Sequence, residues 1–184
     1  MERALIFNKN KNNIFIKEKD DNLIVIPDCY FIASGIFTVD NTKKKILTFY
    51  INKENNKHKE FIDNIRNIYD ECSEYIEKID DFDPDLISNP IYKKNDLLYI
   101  LSLNITDWNG NLITKFYNIE NDQLINLNDL ENKTFSLYPA IHIEKIYLNT
   151  KNNYAYMEFI LKEAYIRINK NKKLLNYEKA KNAQ

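Results

Sequence analysis

Lys45-Ile46-Leu47-Thr48-Phe49-Tyr50-Ile51-Asn52 alternates strictly, with Leu47, Phe49 and Ile51 on one face and Ile46, Thr48 and Tyr50 on the other. Period-two alternation rich in β-branched and aromatic side chains predicts a strand with two differently dressed faces. A few residues on, the period changes. Between Lys59 and Ile79 the apolar residues are Phe61, Ile62, Ile65, Ile68, Tyr69, Cys72, Tyr75, Ile76 and Ile79. That is helical spacing sustained for about five turns, so one long amphipathic helix is expected over 59–79. Asp80-Asp81-Phe82-Asp83-Pro84-Asp85 ends it, because proline and the residue before it resist helical geometry.

Outward from this junction the chain reads as strands. Alternation marks 13–17 and 35–40 before it, and 97–106, 112–119, 134–148 (with a break near Pro139) and 154–168 after it. Asn109-Gly110, inside Asp107-Trp108-Asn109-Gly110-Asn111, predicts a hairpin joining 97–106 to 112–119. Asn149-Thr150-Lys151-Asn152-Asn153 reads as a polar turn between the last two strands. Strands, one helix, then strands, with no βαβ alternation and no repeat, predict a small all-β barrel or sandwich carrying an inserted helix.

The 184 residues suit one domain. A hydrophobic share of 44% and an aromatic share of 13% are enough for a buried core, which argues against wholesale disorder. Two glycines and four prolines exclude glycine-rich phosphate loops and proline-rich linkers, and no GxSxG, HExxH or GxGxxG occurs. No enzyme motif and no cofactor is implied. Cys29 and Cys72 have no CxxC or histidine neighbour and read as buried apolar thiols. His58 and His142 lie far apart, and His142, between Ile141 and Ile143, reads as a sheet-face histidine rather than a metal ligand. The longest apolar stretch, 23–39, is broken by Pro27 and Asp28, so neither a membrane span nor a signal peptide is expected and the chain reads as soluble and intracellular.

Charge is balanced in total, 26 basic against 27 acidic, but not along the chain. Residues 59–85 hold ten acidic and three basic side chains, a net of −7, which leaves +6 for the β-rich remainder. The segment from Arg167 onward is +5. A barrel with a positive face and a separate negative helix suits a polyanion despite its neutral sum. The bland alternative is a solvated acidic helix plus lysines inflated by AT-rich coding, to which the roughly one-in-seven asparagine content also points.

Rings and bases fall together at strand spacing. Lys43, Lys44 and Lys45 lead to Tyr50, Lys115 stands beside Tyr117, Lys145 precedes Tyr147, Tyr156 follows Tyr154, and Lys162 precedes Tyr165. Bases stack on exposed rings while lysines meet phosphates, so this pattern suits unpaired nucleic acid. The candidate phosphate contacts are Lys43, Lys44, Lys45, Lys115, Lys145 and Lys162. The candidate stacking rings are Tyr50, Trp108, Tyr117, Tyr147 and Tyr156. The competing explanation, that Tyr and Phe are good strand formers packing cross-strand, stays open for each ring.

Several short stretches, in order, resemble the single-stranded DNA-binding proteins of podophages and large DNA viruses. Gly35-Ile36-Phe37-Thr38-Val39-Asp40 resembles a glycine-led, aromatic-bearing strand of that family. The long helix follows a strand as the family's does, and Asp107-Trp108-Asn109-Gly110-Asn111-Leu112 is similar to its Asp-x-x-Gly turn. Asn132-Lys133-Thr134-Phe135-Ser136-Leu137 and the terminal strand Met157-Glu158-Phe159-Ile160-Leu161-Lys162-Glu163-Ala164 complete the order. The resemblance implies an antiparallel Greek-key barrel of the OB-fold type over 1–168, with a short basic tail over 169–184. It further implies a non-enzymatic protein that coats single-stranded DNA, with RNA an open alternative. Replication proteins or self-association are the implied further contacts, and a viral replication compartment the implied setting. The rival reading is a viral structural or assembly protein using a β-barrel for protein contacts. One departure stands out: phage members end in a long acidic tail, whereas Arg167 to Gln184 is short and basic.

Overall fold

The computed structural model describes residues 5–19, 21–79, 87–131, 133–149, 151–152 and 154–168. The acidic run 80–85 and the basic tail 169–184 lie outside the described residues. In chain order the elements are β1 (Leu5–Asn10), β2 (Asn13–Glu18), β3 (Asp21–Asn22), β4 (Ile24–Val25), β5 (Phe31–Thr38) and β6 (Lys45–Asn52). Then come α1 (Asn56–Ile79), β7 (Ile87–Ser88), β8 (Ile91–Lys93), β9 (Leu98–Asn104), β10 (Lys115–Asn118), β11 (Phe135–Asn149) and β12 (Tyr154–Ile168).

Five strands close on themselves. β5 pairs with β6, β6 with β9, β9 with β12, β12 with β11, and β11 returns to β5. All of these pairs are antiparallel except β9–β12, where Asn104 and Ile160 meet in parallel. Counting only the barrel strands, the order is 1-2-3-5-4-1, an OB-fold-like β-barrel with one α-helix among the described residues. Inside stand Phe31, Leu47, Phe49, Ile51, Leu101, Leu103, Leu137, Ile141, Ile143 and Leu161, all inaccessible to solvent. Closure leaves none of the five barrel strands at an open edge; the outer edges belong to shorter flanking strands such as β1 and β10.

Asn55 caps α1, its Oδ1 accepting the backbone N–H groups of Lys57 (3.0 Å) and His58 (3.3 Å). The helix therefore begins at Asn56, three residues before the expected start at Lys59. Its apolar stripe lies on the barrel end, where Phe61 meets Phe31 at 5.1 Å and Phe49 at 6.3 Å between ring centroids. His58 fixes the entry, accepting the Asn52 N–H at Nδ1 (3.0 Å), which leaves Nε2 to donate to the Tyr30 carbonyl (3.0 Å). The opposite face of α1 exposes Glu60, Asp63, Asp70, Glu74 and Glu77. No helix among the described residues is long and apolar enough to cross a membrane.

The hairpin expected at Asn109-Gly110 does not form. Thr106 and Leu112 make a single bridge, after which the chain leaves β9 and β10 pairs in parallel with β12, Lys115 opposite Glu163. The reason is occupancy: β9 is flanked by β6 on one edge and by β8 and then β12 on the other. Strand β11 runs through Pro139, with its irregularities at Ala140/Ile141 and Ile143/Lys145. Both cysteines are buried and free, and burial pushes the Cys29 thiol up to about 11 and that of Cys72 to about 12.

Candidate nucleic-acid interface

Alternation decides which ring of each neighbouring pair faces out. Phe49 and Phe116 go into the core, while Tyr50 and Tyr117 stay half-buried on the outer wall. A phenol hydroxyl retains its water there, whereas a phenyl ring loses nothing by burial. On β12, Ala155, Met157, Phe159 and Leu161 face inward and Tyr156, Glu158, Ile160 and Lys162 outward.

The outer wall at β11 and β12 is organised by a buried carboxylate. Glu158, 8% exposed, holds Lys44 Nζ at 3.4 Å on Oε1 and Lys145 Nζ at 3.2 Å on Oε2. Asn104 Nδ2 donates to Oε1 at 3.0 Å. Lys145 also reaches Glu144 at 3.3 Å. Its flanking carboxylates hold the Lys145 ammonium above the usual range, against the opposing effect of burial. Lys44 in turn lies under Trp108, 4.2 Å from the ring centroid, so a chain of contacts runs from the indole to β11. Two residues along each strand, Tyr147 and Tyr156 are cross-strand partners with centroids 5.4 Å apart, and Tyr154 stands 6.4 Å beyond.

Trp108 is 63% exposed at the tip of a turn that Asp107 builds. Asp107 Oδ1 accepts the N–H groups of Asn109 and Asn111, both at 2.8 Å, and Oδ2 accepts from Asn111 Nδ2 at 2.8 Å. These bonds, Asn111's first, hold its carboxyl below the usual range. Gly110 has φ +87°, and a Cβ there would stand 3.0 Å from Lys43 Cβ and carbonyl oxygen. The Asn-Gly pair thus serves close approach of the turn to the β5–β6 loop. Between them lies an open cleft of about 550 Å³ lined by Asn41, Thr42, Lys43, Trp108 and Asn109. In OB folds the wall of the second and third strands, with the loops joining strands one to two and four to five, is where oligonucleotides bind. Here those parts are β6 and β9, the cleft beside Trp108, and the β11–β12 turn flanked by Tyr147, Tyr154 and Tyr156.

The structure groups the candidate residues rather than scattering them, but not in one channel. Lys43, Lys44, Trp108, Lys145, Tyr147 and Tyr156 share the wall around Glu158. Tyr50 lies further up β6, where Lys94 Nζ donates to its hydroxyl at 3.1 Å. Lys45 turns to the barrel end and pairs with Glu131. Lys115, Tyr117 and Lys162 belong to a second surface beside the other half of β12. There Tyr117 stacks on Tyr165 (5.6 Å), Tyr165 is paired with Tyr138, and Tyr138 meets Tyr30 (5.4 Å) under Arg167. Among the described residues Lys43, Lys115 and Lys162 are exposed and make no ion pair, whereas Lys44, Lys45 and Lys145 hold carboxylates. Glu158 carries no signal in the sequence, because it matters only through partners set opposite it by folding. Asp107, by contrast, bonds residues two and four positions on, within the Asp-x-x-Gly turn the sequence marks.

His142, 4% exposed on the outer side of β11, has an Nδ1 with no hydrogen-bond partner among the described residues. No group of three His, Cys, Asp or Glu side chains among the described residues is placed to hold a metal ion.

No protein-family model matches the chain, and no curated protein matches it in sequence. Among solved structures it is similar to gp2.5, a single-stranded DNA-binding protein encoded by bacteriophage T7. The two align with a TM-score of 0.55 and 8% identity over 89% of this chain and 96% of the other. At that identity the likeness is one of fold, and the fold it supports is the barrel with a helix inserted between its second and third strands.

Proposed function

We propose that this chain is a non-enzymatic single-stranded DNA-binding protein of a DNA virus or phage that coats replication and recombination intermediates. The observation that carries the reading is the cleft beside Trp108, where an exposed indole, backed by Lys44 and faced by the exposed Lys43, stands at the OB-fold loop suited to oligonucleotides. The strand stacks one base on Trp108 and others on Tyr147, Tyr154 and Tyr156, and passes a phosphate to Lys43. Stacking accepts any base, so little sequence preference follows. The similarity to a phage protein of that function supports the reading at the level of fold.

Titration with oligo-dT, followed through the fluorescence of the lone tryptophan, tests it. Binding that weakens with salt by a slope of about −0.7 per neutralised phosphate is expected. Trp108→Ala, followed by anisotropy of a labelled oligomer, is expected to cost about 1–3 kcal/mol, roughly 5- to 150-fold in Kd. Stability should fall by only about 0.5–1 kcal/mol, the worth of the ring's contact with the Lys44 ammonium. Unchanged affinity would sink the assignment of the cleft.

A second reading, a protein-interaction module, is favoured by Ile24, Ile26, Tyr30 and Ile32, which are 41%, 59%, 42% and 46% exposed within nine residues of chain. A chain that ignores oligo-dT but self-associates in sedimentation velocity would favour it.

A further inference from the structure

At the other end of β6 from the Trp108 cleft, where α1 begins, is a second concavity. It measures about 390 Å³ and is lined by Lys53, Lys59, Ile62, Asp63, Arg66 and Tyr99. Three cations and one carboxylate face it. Lys59, Ile62, Asp63 and Arg66 are spaced i, i+3, i+4 and i+7, which places them on one stripe of the helix. An otherwise acidic helix face therefore turns two of its few basic side chains toward a single notch.

The floor is Tyr99, 8% exposed, with Lys53 Nζ 4.6 Å and Arg66 Cζ 5.8 Å from its ring centroid. The Lys53 ammonium, with help from the Arg66 guanidinium, holds the phenol below its usual range despite burial. Arg66 reaches Asp63 at 3.8 Å, and the nearby Asp96 is engaged by Lys93 at 2.9 Å. Lys53 and Lys59 make no ion pair among the described residues. Asp63 answers only Arg66, and Asp96 is engaged by Lys93, so Lys53 and Lys59 leave the notch net positive and an anion there relieves their mutual repulsion.

We propose that this notch binds a backbone phosphate of the single strand and anchors its far end, an assignment that rests on the DNA-binding reading above. The eight residues of β6 stand between Lys44 and Lys53, about 30 Å at strand rise. Between them stand Tyr50, with Lys94, and the exposed Tyr92 of β8, both on the outer face. Tyr99 faces the other side of the sheet, so a single strand leaving these rings turns over the end of β6 to reach the notch. The notch is the distal phosphate site, Tyr50 and Tyr92 a midway platform, and the Trp108 cleft the proximal stacking site. Phosphate specificity follows from the chemistry: two ammonium groups and a guanidinium, offset by the one carboxylate of Asp63, suit the singly charged oxygens of a phosphodiester better than an uncharged base.

The test uses the full chain with Lys53→Gln/Lys59→Gln, both exposed positions, and with Lys78→Gln as an equal-sign control elsewhere on the helix. Oligo-dT of about 4 and about 16 nucleotides, the span of OB-fold site sizes, are titrated at several salt concentrations. The double variant is expected to bind the short oligomer as the parent does. For the long one its salt slope should shrink by about 0.7 to 1.4, one or two phosphates' worth. Lys78→Gln should leave both unchanged. Equal losses on both oligomers, the same loss in Lys78→Gln, or no change in slope each overturn the anchor while the Trp108 result still stands. Pyrophosphate binding that the double variant abolishes, with the oligomer slope intact, assigns the notch to a free phosphate ligand and likewise overturns it. A parent that ignores oligo-dT altogether removes the DNA-binding reading and the anchor together.

Discussion

The two halves of β12 carry similar side chains to different ends. From Tyr154 to Ile160 its outer face holds tyrosines and one carboxylate. From Lys162 to Arg167 it holds a lysine, a glutamate, a tyrosine and an arginine. In the first half the neighbouring cations fold onto Glu158, so that Lys44 and Lys145 are part of the wall. In the second half Lys115 and Lys162 stand exposed without ion pairs among the described residues, and the rings of Tyr117, Tyr165, Tyr138 and Tyr30 lie beside them. A lysine next to a ring at strand spacing is thus compatible with internal cement and with an open cationic surface. What separates the two is one buried carboxylate, supplied by a residue many positions away in sequence.

The largest effect should come from removing that carboxylate. Glu158→Ala leaves Lys44, whose side chain is 9% exposed, without its carboxylate under Trp108, and leaves Lys145 with only Glu144. Breaking a buried pair from one side costs about 3–5 kcal/mol, read as a lowered urea midpoint at constant m-value. Glu131→Ala, which releases the half-exposed Lys45, should cost at most about 1 kcal/mol. Similar small losses in both variants would erase the distinction between wall and open surface.

Much of the barrel was legible because alternation is a local signal. The strand at 45–52 coincides with β6, and the expected 154–168 with β12, since each buries one face and solvates the other. What was not legible is pairing. Asn109-Gly110 has the chemistry of a hairpin turn, yet 112–118 crosses to β12 because β9 has no free edge, a fact about the whole sheet. Strand β1 went unmarked because Phe7 gains its burial by stacking on Tyr75 of α1 at 4.2 Å, a partner 68 positions away. At the candidate site, residue type and face were readable for Tyr50, Tyr147 and Tyr156, but the fate of each lysine was not. Lys43, Lys44 and Lys45 are adjacent and identical, and end respectively exposed, buried on Glu158 and turned to Glu131.

A smaller effect probes the second half. Tyr165→Ala removes an inner ring of the four-ring row and should cost about 1 kcal/mol of stability, the worth of an aromatic pair. If the strand is held by the first half, affinity for oligo-dT stays within about twofold of the parent, against the 5- to 150-fold expected for Trp108→Ala. A loss at Tyr165 as large as at Trp108, measured by the same titration, would mean that the strand wraps both halves and that the carboxylate-bound wall is only part of the site.

The smallest effect lies where the halves meet. His142 faces outward from β11 opposite Ile160, and burial, with Lys162 nearby, holds its imidazole below the ordinary value of 6.5 against the pull of Glu144 and Glu158. His58 is lowered too, by burial, with its bond to the Tyr30 carbonyl acting the other way. In both cases the unfolded chain takes up a proton before the folded one does. Stability is therefore fully present above 6.5 and is lost as pH falls through 6.5 toward the lowered folded values. Urea unfolding between about pH 7.5 and about pH 5.5 should show this decline, before most carboxylates titrate. The two histidines differ in what replacement does. His58→Leu strands the Asn52 N–H and the Tyr30 carbonyl at every pH, so it lowers the whole curve. His142→Leu removes a group whose Nδ1 has no partner among the described residues, so it should flatten the curve while leaving the high-pH stability within about 1 kcal/mol. A curve as steep in His142→Leu as in the parent would place the pH sensitivity wholly at the helix entry and leave the junction of the two halves electrostatically inert.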